Sequence, residues 1–431
     1  MKRIHRLRLI PVALLTLATA LPGAVSHAAP VASHSNAAVT LRFAYFGGPD
    51  SKKLIDQILP TYHKAYPNVT VNLEPFPDSR VKVLTQTSAG TAADVYMAGD
   101  GDIVFLATRG ALVDLKPLAQ QAHFDLGQYL PGTLTIGSIG SHVYSLPKDY
   151  SPLAVYYNKA LLQKAGVPFP SNTWTWTDFR NDALKLTKGG IYGATLSGDW
   201  PRLLDPFVRS FGGQLVSSDG RKVAGYMDSP ATIKAVQLWI DLFRKDKIAP
   251  TPTQSSALGS DPFASGKAAM NLTGVWPSLG PAGYKAKPPF SFGVAPFPRG
   301  TSSAHVNTIC YAGFVMSKAT KHPNEAFALI RYLSGPVGDT VWSQNGLPSV
   351  RAVAQAKGVF HDPVESVFLK EVGFANLPAD TTGAATEQAV GDTLTQGLDL
   401  LLNNPSTPVA GVLKIEASKG QQILDKYYSG Q

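Results

Sequence analysis

Cysteine is almost missing from this chain: Cys310 is the only one among 431 residues. One thiol excludes an internal disulfide and the paired-cysteine motifs of zinc and redox sites. Cys310 lies in the apolar run Thr-Ile-Cys-Tyr-Ala-Gly-Phe-Val and reads as a small buried hydrophobe. Charge is sparse as well, at 16% Asp, Glu, Lys and Arg, against 39 Gly and 33 Pro. That balance suits a loop-rich globular protein and excludes coiled coil and extended disorder. The formal charge of +9 is scattered, with no block of five like charges, so no nucleic-acid face is expected. Catalytic signatures are absent too. There is no G-x-S-x-G, H-E-x-x-H, Walker loop or C-x-x-C, and the nine His are far apart without zinc spacing. Ser79-Arg-Val-Lys82 matches S-x-x-K but lacks its companion motifs. Asp100-Gly-Asp102 is too short for a calcium loop. No metal and no cofactor are expected.

What is present begins with an export signal. Lys2, Arg3, Arg6 and Arg8 precede the apolar run Leu9 to Leu21, and Ser26 and Ala28 suit a cut before Ala29. The run is broken by Pro22 and Gly23, short of the ~20 apolar residues of a membrane span. No Cys follows it to carry a lipid. Residues 1–28 are therefore expected to be a cleaved signal peptide, with 29–38 a flexible leader. The mature protein is expected to be periplasmic or secreted, and not membrane-anchored. Losing those four basic residues takes the charge from +9 to +5. About 400 residues then remain, enough for two domains.

The mature chain opens with a β-rich alternation, Val39 to Phe46, ended by Gly47-Gly48-Pro49. Ser51 is expected to cap a helix whose buried face is Leu54, Ile55, Ile58, Leu59, Tyr62 and Tyr66. Val69, Val71 and Leu73 alternate as a second strand, and Asp94 to Met97 form a third. Strand, helix and strand in succession predict a parallel α/β sheet. The loops 46–49, 76–80 and 99–102 then share the C-terminal edge of that sheet, where open α/β sheets bind ligands. Further on, Thr177 is expected to cap one helix and Ser229-Pro230 to open another.

Three passages resemble one family. They are Ser145-Leu-Pro-Lys-Asp-Tyr-Ser-Pro-Leu-Ala-Val-Tyr-Tyr-Asn-Lys-Ala-Leu-Leu-Gln-Lys-Ala-Gly166, Phe263 to Trp276, and Ala312 to Leu333. In order and spacing they resemble the extracellular solute-binding protein family 1, the maltose-binding-protein-like sugar receptors of ABC importers, over roughly residues 40–431. The resemblance implies an α/β fold of two discontinuous lobes joined by a three-segment hinge, of the periplasmic-binding-protein type II. It implies a first lobe of 39–147 plus 272–317 and a second of 149–270 plus 320–431. The crossings are expected near 146–150, 269–274 and 316–320. It further implies a monomer that binds a carbohydrate between the lobes, passes it to permease subunits and catalyses nothing.

A sugar presents apolar C–H faces and a rim of hydroxyls, so its site needs flat aromatic platforms beside carboxylates, amides and Arg. Trp200, in Gly-Asp-Trp-Pro, and Trp276, in Gly-Val-Trp-Pro, are expected to stack on it from opposite walls. Tyr311 precedes a hinge strand, and Asp149 and Tyr150 occupy the first hinge loop. Phe46 and Gly47 end the first strand. Asp78, Arg80, Asp100 and Asp102 complete the first-lobe wall. Arg351 follows Gly346-Leu-Pro-Ser-Val, which resembles a family loop near the cleft. Trp174, Trp176, Trp239 and Trp342 are expected to pack in cores. Two rival readings stay open at this point: an exported carbohydrate-active enzyme using Asp149 with a first-lobe Asp, and a receptor of this fold for a non-sugar ligand.

Overall fold

The computed structural model describes residues 38–75, 80–301 and 305–430, without the side chains of Arg80 and Val81. The signal segment, nearly all of the leader and Asp78 lie outside the described residues.

Two sheets organise the chain. The first strand, β1 (Val39–Tyr45), places Leu41, Phe43 and Tyr45 in one core and Ala44 in another. It is covered on both faces, as a parallel strand must be. It pairs in parallel with β2 (Val69–Pro75) and β3 (Val95–Gly99). The strand β4 (Ser145–Pro152) joins the same sheet, and β5 (Ala154–Asn158) starts a second one. There β5 lies antiparallel between β6 (Met270–Thr273) and β7 (Phe292–Pro296). Finally β8 (Asn307–Met316) returns to the first sheet, antiparallel to both β3 and β4, and β9 (Ala375–Asn376) pairs with its start.

The helices follow local sequence with two exceptions. The helix Gly48–Ala65 buries Leu54, Ile55, Ile58, Leu59 and Tyr62 and runs through Pro60. Its N-cap is Gly47 rather than Ser51: a left-handed φ of 88° at Gly47 turns the chain straight into the helix, with Pro49 in the first turn. Thr175, not Thr177, caps Trp176–Leu186. Thr175 is extended, and its hydroxyl and the Asp178 carboxylate form a reciprocal capping box. Ser229 caps Pro230–Arg244 as the sequence predicts. Trp174, Trp176, Trp239 and Trp342 are all core residues.

Core packing redraws the expected boundaries. One core draws on residues between Val39 and Leu146 and again between Phe314 and Val353. Another draws on residues between Leu153 and Phe297 and again between Ala379 and Leu424. Two expected crossings are therefore misplaced. The chain does not change sides at 269–274, because β6 pairs with β5. It does not change at 316–320 either, because the helices Pro323–Ser334 and Pro336–Trp342 bury Phe327, Ile330, Leu333 and Trp342 against the core of β1. The observed changes of sheet are at Leu153 and between Pro296 and Asn307, and after Asn376 the chain returns, from Ala379 on, to the core that Leu153 to Phe297 build. Asn307 ties them together. Its amide accepts from Leu153 N (3.2 Å) and donates to Leu153 O (2.8 Å) and to Glu371 Oε2 (2.6 Å).

Asp339 shows what fixes the last part of the six-stranded half. It is 1% exposed and accepts from Ser349 N, Ser349 Oγ and Val350 N. Burial outweighs those hydrogen bonds and pushes its carboxyl up to about 6. The folded state then holds a proton that the unfolded state, near pH 4, has already lost. Its contribution to stability is complete below about pH 4 and is lost as pH rises through 6, at about 1.4 kcal/mol for each pH unit between the two values. Urea melts of native protein and Asp339→Asn at pH 4.5 and 7.5 should show native stability falling more than the variant's between the two.

Candidate functional site

A cavity of about 340 Å³ opens between the two halves. One wall is the β4–β8 ladder, where Asp149 stands opposite Ala312 and Tyr150 opposite Tyr311. A bulge beside this pair gives β4 one extra residue, Lys148. Bulges re-aim side chains. Here Lys148 turns over the Trp342 ring at 4.9 Å while its ammonium donates to Asp149 Oδ2. Phe46, at the end of β1, and the loop Asn345–Gly346 extend this wall.

The opposite wall is aromatic. Trp200 is the N-cap residue of the helix Pro201–Ser210, and Trp276 follows β6. Their rings meet edge to face, with centroids 6.4 Å apart and planes at 66°. The expectation that they face each other across the cleft is therefore corrected. Both belong to the three-stranded half, and together they make one corner. Trp276 is 42% exposed, and its ring lies back over Gly274, where a Cβ would come within 2.0 Å of it. Only glycine permits that approach.

Arg202 joins the walls. Its Nη1 donates to Asp100 Oδ1, its Nε to Asp380 Oδ2 at 2.9 Å and its Nη2 to Glu387 Oε2 at 3.5 Å. Burial opposes its charge, yet Asp380, Asp100 and Glu387 together hold the guanidinium's pKa well above its usual value. Burial pushes the Asp100 carboxyl up, against the pull of Arg202. Burial also raises the Tyr311 phenol, whose oxygen lies 3.2 Å from Ser145 Oγ, so it stays neutral. Desolvation, then the nearby Asp100 carboxylate, push the Cys310 thiol up to about 12, which leaves it a poor nucleophile. Among the described residues no cluster of His, Cys, Asp and Glu is arranged to hold a metal ion.

Seven of the residues singled out from sequence line this one cavity: Phe46, Asp100, Asp149, Tyr150, Trp200, Trp276 and Tyr311. Asp102 lines a neighbouring one with Asp100. Gly47 shapes the turn behind Phe46 and lines neither. Arg351 is not brought in: it starts the helix Arg351–Ala356 with its side chain exposed, while Asn345 and Gly346 of the preceding loop reach the cavity. Asp78 lies outside the described residues, as does the side chain of Arg80. Sequence reasoning missed Arg202, Asn345, Asp380 and Glu387. Arg202 stands two positions after Trp200 at a proline-started helix, which was a usable signal. Asp380 and Glu387 lie some 180 residues away and offered none.

Residues 48–340, well over half of the chain, match the model of the bacterial extracellular solute-binding protein family. The chain belongs to that family. An uncharacterized ABC transporter extracellular-binding protein of Pyrococcus horikoshii is similar to this solute-binding protein, with 24% identity over 373 residues and 78% of each chain covered. Among solved structures, an ABC substrate-binding protein from Listeria monocytogenes, in complex with cycloalternan, superposes with a TM-score of 0.77 at 22% identity, covering 91% of this chain and 99% of that one. UgpB from Mycobacterium tuberculosis, in complex with glycerophosphocholine, gives 0.76 at 19% identity, covering 92% and 100%. The shared fold is that of the solute-binding proteins: α/β, in two lobes each built from separate stretches of chain.

Proposed function

We propose that this solute-binding protein captures a neutral oligosaccharide outside the cytoplasm and delivers it to an ABC importer. The observation that carries the reading is the aromatic corner of Trp200 and Trp276 facing Asp149, Tyr311 and Asn345 across one cavity. Apolar sugar faces pack on indole rings, and carboxylates accept hydroxyl protons in charge-assisted bonds. The two structures above bind a sugar in one case and a phosphodiester in the other. Charge favours the sugar here. Arg202 is the only cation among the described residues lining the cavity, and three carboxylates already engage it.

The lobes in this reading are 38–152 with 307–376, and 153–297 with 379–430. An open form binds the ligand on one lobe, and the second lobe closes because its contacts favour the closed state. No bond is made or broken. The chain acts as an exported monomer. Thermal-shift screening tests the ligand class directly. A neutral oligosaccharide at 100 times its dissociation constant should add about 2.7 kcal/mol of stability. Stabilisation by glycerophosphocholine or glycerol 3-phosphate alone, or hydrolysis of an oligosaccharide during incubation, would overturn the reading.

A further inference from the structure

Two cavities of this molecule meet at one ion pair. The aromatic cavity shares Gly99, Asp100, Trp200 and Arg202 with a second cavity of about 270 Å³, and no other lining residue. The second is of different character: Asp102 lines it from the six-stranded lobe, and Asp380, Glu387 and Asp392 from the other. Between the two stands the contact of Arg202 Nη1 with Asp100 Oδ1, a guanidinium from one lobe on a carboxylate from the other.

Resting on the carbohydrate reading above, we propose that the Asp100–Arg202 pair is a partition that sets ligand length. Closed, it confines a short sugar to the aromatic cavity. Opened, it joins the acid-lined cavity to the first as a further sugar subsite.

Three observations support this. First, the pair can part without abandoning the arginine, because Asp380 and Glu387 hold Arg202 from its own lobe. Second, parting the pair would uncover buried hydrogen-bond acceptors suited to a polyol. Asp380 is 6% exposed, and only one of its carboxylate oxygens is bonded, to Arg202; Asp380 Oδ1 and Asp100 Oδ2 accept no hydrogen bond. A buried acceptor without a donor is costly, and a sugar hydroxyl donates. Third, the lobes fit closely here. A Cβ at Gly101 would lie 2.3 Å from Glu387 Oε2, so the partition has no slack unless the pair itself moves.

The test is a length ladder. Linear oligomers of two to six units from four series (α-1,4-glucan, β-1,4-glucan, β-1,4-mannan and β-1,4-xylan) are titrated by calorimetry into the full chain, native, Asp100→Ala and Arg202→Met. In the series that binds, native affinity should stop improving once the aromatic cavity is filled. In both variants the ratio of longest-oligomer to shortest-oligomer affinity should rise at least tenfold over native. Should Arg202→Met fail to fold, as its melt will show, Asp100→Ala decides alone, since it leaves Arg202 with Asp380 and Glu387. A ratio within twofold of native in Asp100→Ala overturns the partition while leaving sugar binding intact. If no series binds the native protein, the carbohydrate reading itself is overturned and the partition with it.

Discussion

Arg202→Ala should lower the free energy of unfolding by about 3–5 kcal/mol, the range for breaking a buried ion-pair network from one side. Arg202 meets Asp100, Asp380 and Glu387 with its side chain only 18% exposed, and Asp100 is 1% exposed. Without the guanidinium, three carboxylates crowd a shared low-dielectric space, and they must repel one another or take up protons. Lys52→Ala is the control. Its pair with Asp56 is half-exposed on both sides, and exposed pairs contribute far less. Urea unfolding of both variants measures the difference. Equal losses would mean that the cluster at Arg202 is no more than a surface contact.

Trp200→Ala and Trp276→Ala should each weaken binding of the oligosaccharide by about 2–4 kcal/mol, the range of an interface hot spot. That corresponds to about thirtyfold or more in dissociation constant. Stability should fall less, because Trp276 is 42% exposed and Trp200 half-buried. Trp239→Ala should behave oppositely. Trp239 is fully buried and its indole donates to Gly198 O, so stability should drop by about 3–5 kcal/mol. Calorimetry and melts on the three variants separate the roles. Unaltered affinity in both site variants would return Trp200 and Trp276 to packing.

Much of the fold was legible because it is written locally. Alternation in Val39–Tyr45, the apolar stripe of Leu54 to Tyr62 and the Ser229-Pro230 start are properties of a few neighbouring residues, and each formed as its pattern dictates. The boundaries between halves were not legible, because an apolar stripe says that a helix is buried and not against which sheet. Phe327, Ile330 and Leu333 could pack on either core. The site divides the same way. Trp200 and Trp276 could be singled out by flanking Gly and Pro, but not placed side by side, because their distance depends on how β6 and the helix Pro201–Ser210 pack together. Asp380 and Glu387 were invisible, since only the tertiary fold brings them to Arg202.

Small-angle scattering with and without a saturating oligosaccharide tests the central claim most directly, that a sugar is held between two lobes that close on it. The changes of sheet at Leu153 and between Pro296 and Asn307, with the change of core after Asn376, supply the three connections about which the lobes would turn. The radius of gyration should fall on saturation, and it should fall less for Trp276→Ala at the same sugar concentration. Superimposable curves for native protein, with a sugar that calorimetry shows to be bound, would contradict capture by closure.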